Sequence, residues 1–333
     1  MQESNSPIRV AINGYGNLGR AVEAAVHAAP DLELVAIFTR RDPQSLQTLF
    51  APAVHVDQAA DYVGKVDVCA LCGGSATDLQ TQGPQFAALF NTVDSFDNHA
   101  LIPQYFETMN EVCTQNSTVS VISTGWDPGL FSLQRLIAQA VLPQGQTTTF
   151  WGRGVSQGHS DAIRRIDGVE GAIQYTVPVQ SAKARALEGE AGDLSARQKH
   201  RRECFVVAAE GADRDRIREQ IVTMPNYFEP YDTTVEFISA EELARDHAQM
   251  PHGGDVIRAG TTAQGAHQSI HFNLALGSNP QFTGAMVTAT CRAVARLAAG
   301  GELRALAGAY TVFDIPPTLY CAQPPADLRR DLL

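Results

Sequence analysis

The first part of the chain alternates two spacings of apolar residues. Residues 8–12 form a short apolar run broken only by Arg9, and residues 32–38, 66–71, 92–94 and 117–123 repeat that character. Such brief β-branched runs predict strands buried on both faces. Between them, Leu18, Ala21, Val22, Ala25 and Val26 recur at helical spacing. Residues 78–90, opened by an acidic N-cap, and residues 103–116 also read as helices. Strands alternating with helices of this length predict βαβ units, and so an α/β domain built on a Rossmann-type, doubly wound parallel sheet.

After Asp127 the rhythm changes. Residues 130–141 read as a helix, 147–151 as a strand and 160–166 as a short helix with two arginines. Strands at 174–179, 203–208, 233–238 and 269–276 follow without regular helical crossovers, which predicts a second α+β domain on a mixed sheet. A long helix at 282–299 is expected to return to the first domain. The expected organisation is therefore 1–127 with 282–333 as one domain and 128–281 as the other.

Composition narrows the partners. The 333 residues are 44% hydrophobic and 18% charged, enough apolar material for full cores. A net charge of -11 argues against nucleic acid or an anionic membrane as partner, since both need a basic footprint. No apolar run approaches the roughly 18 residues of a membrane helix. Residues 1–7 lack the basic and apolar regions of a signal peptide and read as a short disordered lead-in. The six cysteines, most of them in apolar surroundings, read as reduced, buried thiols. Cys69 and Cys72 have redox-type spacing, but no second pair accompanies them. His55, His247 and His267 show no metal-ligand spacing, and no metal site is expected.

Several strand ends carry candidate chemistry. Gly14-Tyr15-Gly16-Asn17-Leu18-Gly19 is a GxGxxG motif following a strand and opening a helix, the context of a dinucleotide site. The second strand ends Thr39-Arg40-Arg41, where an NAD site would place an acid; two guanidiniums and a hydroxyl suit the 2'-phosphate of NADP. Cys72-Gly73-Gly74-Ser75 follows another strand and permits close approach of a cofactor, or is a plain turn. Asp97, in Asp94-Ser95-Phe96-Asp97, and Asp127, in Thr124-Gly125-Trp126-Asp127-Pro128, end two further strands. Paired carboxylates there hold a cationic substrate group or move a proton, or else cap the elements that follow. Arg202, beside Lys199 and Arg201, reads by composition as a solvated basic edge, and His252 as part of a glycine loop.

VAINGYGNLGR, IFTRR, VDSFDNH, STGWDPGLFS, TFWGRGVSQGHSDAIRRI, GEAGDL, ECFVVA and MPHGG, in this order and spacing, resemble the meso-diaminopimelate dehydrogenase family. The resemblance runs from about Ile8 to Asn279 and more weakly to the C-terminus. It implies NADP-dependent oxidative deamination of the D-centre of meso-2,6-diaminopimelate, to L-2-amino-6-oxopimelate, ammonium and NADPH. It also implies a cytoplasmic homodimer whose second domain binds substrate and dimerises. By the resemblance Asp97, Trp126, Asp127 and Trp151 surround the reacting D-centre, with Asp97 and Asp127 as the catalytic acids. Thr176, Arg202, His252 and Asn279 hold the distal L-centre, and Gln157 and Gly158 shape the pocket. Gly14, Tyr15, Gly16, Asn17, Leu18, Thr39, Arg40, Arg41, Cys72, Gly73, Gly74, Ser75, Ser95, Phe96, Thr124, Gly125, Trp126 and Pro128 line the cofactor.

The chain departs from the family pattern at Phe96, where Tyr is frequent, at Thr39, where Ser is common, and at Arg153, where Pro is expected. Two other readings share the first domain. One is a different NADP oxidoreductase of aspartate-derived pathways, like dihydrodipicolinate reductase. The other is a non-catalytic NADP(H)-sensing protein.

Overall fold

The structure, a computed structural model, describes residues 6–225, 227–300 and 306–333. Most of the lead-in, residues 1–5, lies outside them. The chain divides into two compact units, Met1–Leu133 with Pro280–Leu333, and Gln134–Asn279.

The first unit holds β1 (Ile8–Asn13), α1 (Asn17–His27), β2 (Leu32–Thr39), β3 (Ala53–His55), β4 (Val68–Leu71), α2 (Leu79–Ala87), β5 (Thr92–Asp94), α3 (Ile102–Asn116) and β6 (Val119–Val121). α4 (Leu130–Val141) leads into the second unit: β7 (Gly145–Trp151), β8 (Gly154–Val155), α5 (Gln157–Arg164), β9 (Val169–Pro178), α6 (Gln180–Leu187), α7 (Ala196–Lys199), β10 (His200–Ala208), α8 (Arg214–Val222), β11 (Asp232–Phe237), α9 (Ala240–Asp246), β12 (His252–Thr261) and β13 (His267–Leu276). α10 (Asn279–Ala299), β14 (Gly308–Tyr310) and α11 (Pro325–Leu332) complete the first. The expected boundary after Asp127 falls in the loop before α4; the division between units falls within that helix.

Seven parallel strands make the first sheet, in the order β14-β6-β5-β4-β1-β2-β3. Its apolar runs are buried on both faces. Val10, Ile12 and Val68 face α1 and α10, through Val22, Val26, Val287, Cys291 and Val294. Ala11, Phe38 and Leu71 face α2 and α3, through Leu79, Phe86 and Met109. A side chain at Gly284 would stand 2.8 Å from Ala21 Cβ, which is why α10 presents a glycine where it crosses α1.

The second unit has a four-stranded sheet, β11-β10-β9-β8, and a three-stranded antiparallel sheet, β13-β12-β7. β10 runs antiparallel to β9 and parallel to β11, so the first of these is mixed. Ile163, Ile217 and Phe228 cover one face of it against Ala172, Cys204 and Val206. Among the described residues no helix is long and apolar enough to cross a membrane.

Four expectations need correction. β10 begins at His200, so Arg202 lies within a strand and not on an edge before it. His252 opens the ten-residue strand β12, where the glycines predict a loop. β9 begins at Val169 and α5 at Gln157, each earlier than expected.

Candidate active site

In the first unit the candidate residues gather at the carboxyl ends of β1, β2, β4, β5 and β6, one edge of a parallel sheet. Ligands bind at that edge in open α/β folds. Gly14 has φ +95°, and a Cβ at Gly19 would lie 2.1 Å from the Gly14 carbonyl oxygen; both glycines are required by the turn itself. Gly16 differs. A Cβ there would meet nothing within 4 Å, so no atom of the chain explains the missing side chain. Gly16 is also the N-cap of α1, and no side chain caps that end. Open space, free N–H groups and the positive end of a helix dipole fit a pyrophosphate.

The turn is held from below. Tyr15 is buried and its hydroxyl donates to Glu23, whose carboxylate also accepts Leu49 and Phe50 N–H at 2.8 and 2.9 Å. Burial, then Glu23, raises the Tyr15 hydroxyl to about 12. Arg41 donates to the Tyr15 carbonyl at 2.7 Å, so its guanidinium lies beside the glycine turn. Arg40 pairs with Asp78 at 2.8 Å, and Asp78 also accepts Gly74 N–H at 3.1 Å. Asp78 stands at the N-cap position of α2 but makes no capping bond; it links β2 to the loop after β4 instead. A Cβ on Gly14 would lie 3.3 Å from the Cys72 carbonyl carbon, so the two glycine turns touch. Cys69 and Cys72 are free, and burial raises both thiols. That suppresses the thiolate that redox or metal chemistry would use.

Asp94, absent from the candidates that the sequence offers, organises the acidic turns. Its carboxylate is fully buried and accepts Phe96 N–H at 3.0 Å, Ser123 N–H at 2.9 Å and the Tyr105 hydroxyl at 2.9 Å. Its carbonyl accepts Thr124 N–H at 2.8 Å. One residue thus fixes both the turn bearing Asp97 and the start of the loop bearing Asp127. Burial raises the Asp94 carboxyl to about 6, against the lowering by these donors. Asp97 is exposed, and its N–H donates to Ser75 Oγ at 3.0 Å. The loop of residues 124–129 closes on itself: Gly125 N–H donates to the Pro128 carbonyl at 2.8 Å, and the Gly125 and Trp126 carbonyls accept the first N–H groups of α4. A Cβ at Gly129, φ +126°, would lie 2.0 Å from the Gly125 carbonyl oxygen. Asp127, half-buried, sits at the tip of this rigid loop.

In the second unit Trp151, Gln157, Gly158, Thr176, Arg202, His252 and Asn279 come from β7, α5, β9, β10, β12 and the start of α10. Thr176 pairs with Arg202 across β9–β10 and with Gly154 of β8. A Cβ at Gly154 would lie 2.4 Å from the His252 ring, and one at Gly152 2.0 Å from the Thr176 carbonyl oxygen. Gln157 Nε2 lies 2.9 Å from Met250 Sδ, and the Met250 carbonyl accepts Asn279 N–H at 2.9 Å. A Cβ at Gly158 would meet nothing within 4 Å.

Arg202 is only 7% exposed; its guanidinium donates to Thr176 Oγ1 and stacks 3.9 Å over the Tyr231 ring. Among the described residues no carboxylate pairs with it. Burial lowers its proton affinity, and two histidines feel the combination. His159 and His200 fall to about 4, first by burial and then by repulsion from Arg202. Neutral His200 accepts Trp151 N–H at 2.9 Å and stacks on its ring. Arg153 lies 4.1 Å over Tyr175 and pairs with Glu203 at 2.9 Å. Tyr175 and Glu203 are the cross-strand pair next to Thr176–Arg202, so they face the other side of the sheet.

Comparison with known proteins agrees with this architecture. The sequence profile of the diaminopimelic acid dehydrogenase C-terminal domain matches residues 125–278. The meso-diaminopimelate D-dehydrogenase of Ureibacillus thermosphaericus is 56% identical over 329 residues, 98% of this chain and 100% of that protein. The DAP dehydrogenase of Corynebacterium glutamicum, solved in complex with DAP, is 46% identical with a TM-score of 0.90 over 98% of this chain and 100% of that one. An engineered D-amino acid dehydrogenase bound to NADP+ is 44% identical, with a TM-score of 0.85 and the same coverage. Fold and glycine turn define a dehydrogenase that uses a nicotinamide cofactor. The chain belongs to the meso-diaminopimelate D-dehydrogenase family, oxidoreductases acting on CH–NH2 groups.

Proposed function

We propose that this enzyme deaminates the D-centre of meso-2,6-diaminopimelate oxidatively and reversibly, with NADP as acceptor, giving L-2-amino-6-oxopimelate, ammonium and NADPH. The observation that carries the substrate assignment is Arg202, a buried guanidinium with no carboxylate of the described residues beside it. An uncompensated buried charge is costly, and a substrate carboxylate compensates it. Thr176, His252 and Asn279 are assigned with Arg202 to the distal L-centre, and Gln157 and Gly158 to the pocket wall.

A nicotinamide held at this sheet edge would supply the hydride acceptor for the substrate Cα. Asp97, Trp126, Asp127 and Trp151 are assigned to that reacting centre. Their task is to orient the amine, and for one carboxylate to take a proton as the imine forms and is hydrated. Gly14 to Leu18, Cys72 to Ser75, Ser95, Phe96, Thr124, Gly125 and Pro128 are assigned to the cofactor, with Thr39, Arg40 and Arg41 at the 2'-phosphate. Support for NADP over NAD is that β2 ends without an acid and is followed by two guanidiniums, that of Arg41 on the Tyr15 carbonyl of the glycine turn and that of Arg40 on Asp78 at the start of α2.

We also assign dinucleotide binding to 1–127 with 282–333, substrate binding and dimerisation to 128–281, a homodimer and a cytoplasmic location. β13 supports the homodimer, as a ten-residue edge strand with mostly exposed or half-exposed residues, the kind of surface a second copy covers. Sedimentation gives the oligomeric state. The deciding assay follows reduced-nicotinamide absorbance with meso, LL and DD stereoisomers and both cofactors. Turnover of meso with NADP is expected; no turnover, or equal turnover of LL, overturns the proposal.

A further inference from the structure

Gln174, midway along β9, is a polar side chain that the assignments above leave unused. It is fully buried, and neither its amide oxygen nor its amide nitrogen has a hydrogen-bond partner. Arg202 Nε is orphaned in the same way. The two belong to one patch. In alternate rows of the β9–β10 ladder, Gln174 stands opposite Cys204 and Thr176 opposite Arg202. Residues two apart on a strand share a face, with diagonal neighbours about 7 Å apart. Thr176 and Arg202 are 6% and 7% exposed, so the whole patch is enclosed.

The backbone of Gln174 ties this patch to the other pocket residues. Its carbonyl accepts Ser156 N–H at 3.1 Å, and its N–H donates to Ser160 Oγ at 3.0 Å. Ser156 and Ser160 flank the first turn of α5, which carries Gln157 and Gly158. Gln174 therefore lies between residues assigned to the distal L-centre and those assigned to the pocket wall.

An amide buried with both ends unpaired costs about 1–3 kcal/mol per group, and an apolar side chain of the same size avoids that cost. The orphans here are two donors, Arg202 Nε–H and Gln174 Nε2–H, and one acceptor, Gln174 Oε1. The end of an α-amino acid is their complement: a carboxylate accepts the donors, and an ammonium donates to the acceptor. We propose that Gln174 is a substrate-contacting, specificity-determining residue that reads, together with Arg202, the carboxylate and ammonium of the distal L-centre. The inference rests on the assignment of Arg202 made above. Because separate atoms receive the carboxylate and the ammonium, inverting the distal centre misplaces one of them. Gln174 would thereby separate meso from DD.

The test uses Gln174→Met, similar in length but apolar, with Gln174→Leu as a second variant. Each is expected to melt at or above the wild-type temperature, because an unpaired polar group is gone. kcat/KM for the meso isomer should fall about 10- to 100-fold, as for hydrogen bonds to charged groups lost in a site. The DD isomer should change less than about twofold, so the meso-to-DD ratio collapses. An unchanged ratio overturns the proposal, as does a lower melting temperature with equal losses on both isomers, the behaviour of a packing residue. Arg202→Ala measured alongside keeps two failures apart. If it loses meso activity while the Gln174 variants do not, only this inference fails; if it too is unaffected, the distal-end assignment itself fails.

Discussion

Arg202 and its neighbours bring charge into an interior that repels it, and the consequences are measurable residue by residue. Arg202→Ala should lower kcat/KM for meso-diaminopimelate by roughly 2–4 kcal/mol, the range for truncating one partner of a desolvated charged pair. Weak activity on simple D-amino acids, which have no distal carboxylate, should hardly change. Parallel kinetics on the two substrate types check this. His159 and His200, at about 4 against 6.5 for an ordinary histidine, stay neutral in the fold. Below 6.5 the unfolded chain takes up protons that these two refuse, so their effect is to lower stability as pH falls toward 4. Asp94 opposes them. At about 6 against 3.8 it keeps a proton that the unfolded chain has released, so its contribution is lost as pH rises through about 6. Two groups outweigh one, and the enzyme should lose stability on acidification across this window. In His200→Gln, which retains an acceptor for Trp151 N–H, the melting temperature should fall less between about pH 7 and pH 5 than in the wild type.

At the scale of elements, the glycine turn separates structural from ligand-related roles. Gly19→Ala forces a methyl against the Gly14 carbonyl oxygen and should cost more than about 2 kcal/mol of stability. Gly16→Ala meets only open space, so thermal unfolding should be nearly unchanged while the KM for cofactor rises. Arg40→Ala with Arg41→Ala should weaken NADP by roughly 2–4 kcal/mol and leave NAD nearly unaffected, as titration of both cofactors would show. Much of the sheet was legible in the sequence, because strands buried on both faces leave unbroken apolar runs such as residues 34–38. β12 was not, because Gly253, Gly254, Asp255 and Arg258 interrupt its pattern. There the glycines admit neighbouring strands, a Cβ at Gly254 falling 2.2 Å from the Phe150 carbonyl oxygen. Asp255 is neutralised by Lys183 at 2.7 Å, with His271 and Asn273 also bonded to it. β3 and β14, three residues each, are too short to show a period. The candidate site was readable where backbone demands glycine or where a motif resembled a family. Asp94 and Gln174 carry no such mark, since what distinguishes them is burial and pairing in three dimensions.

At the scale of the whole molecule, α10 and β14 complete a sheet begun near the other terminus. Val287, Cys291 and Val294 cover the same face as Val10 and Ile12, and β14 pairs with β6 from Gly308↔Val119 to Tyr310↔Val121. A chain ending after Asn279 would expose that face, and it should bind a hydrophobic dye and lose the cooperative unfolding of the first unit. The second unit, by contrast, is contiguous in sequence. This gives synthesis an order. All of Gln134–Asn279 leaves the ribosome before the last helix and strand of the cofactor sheet exist, so the substrate-handling half is free to fold while the earlier-made half still waits for its cover. The protein made first is finished last, and for that interval its apolar face stands open in the cell, the stage at which the nascent enzyme is most exposed to chaperones and to aggregation.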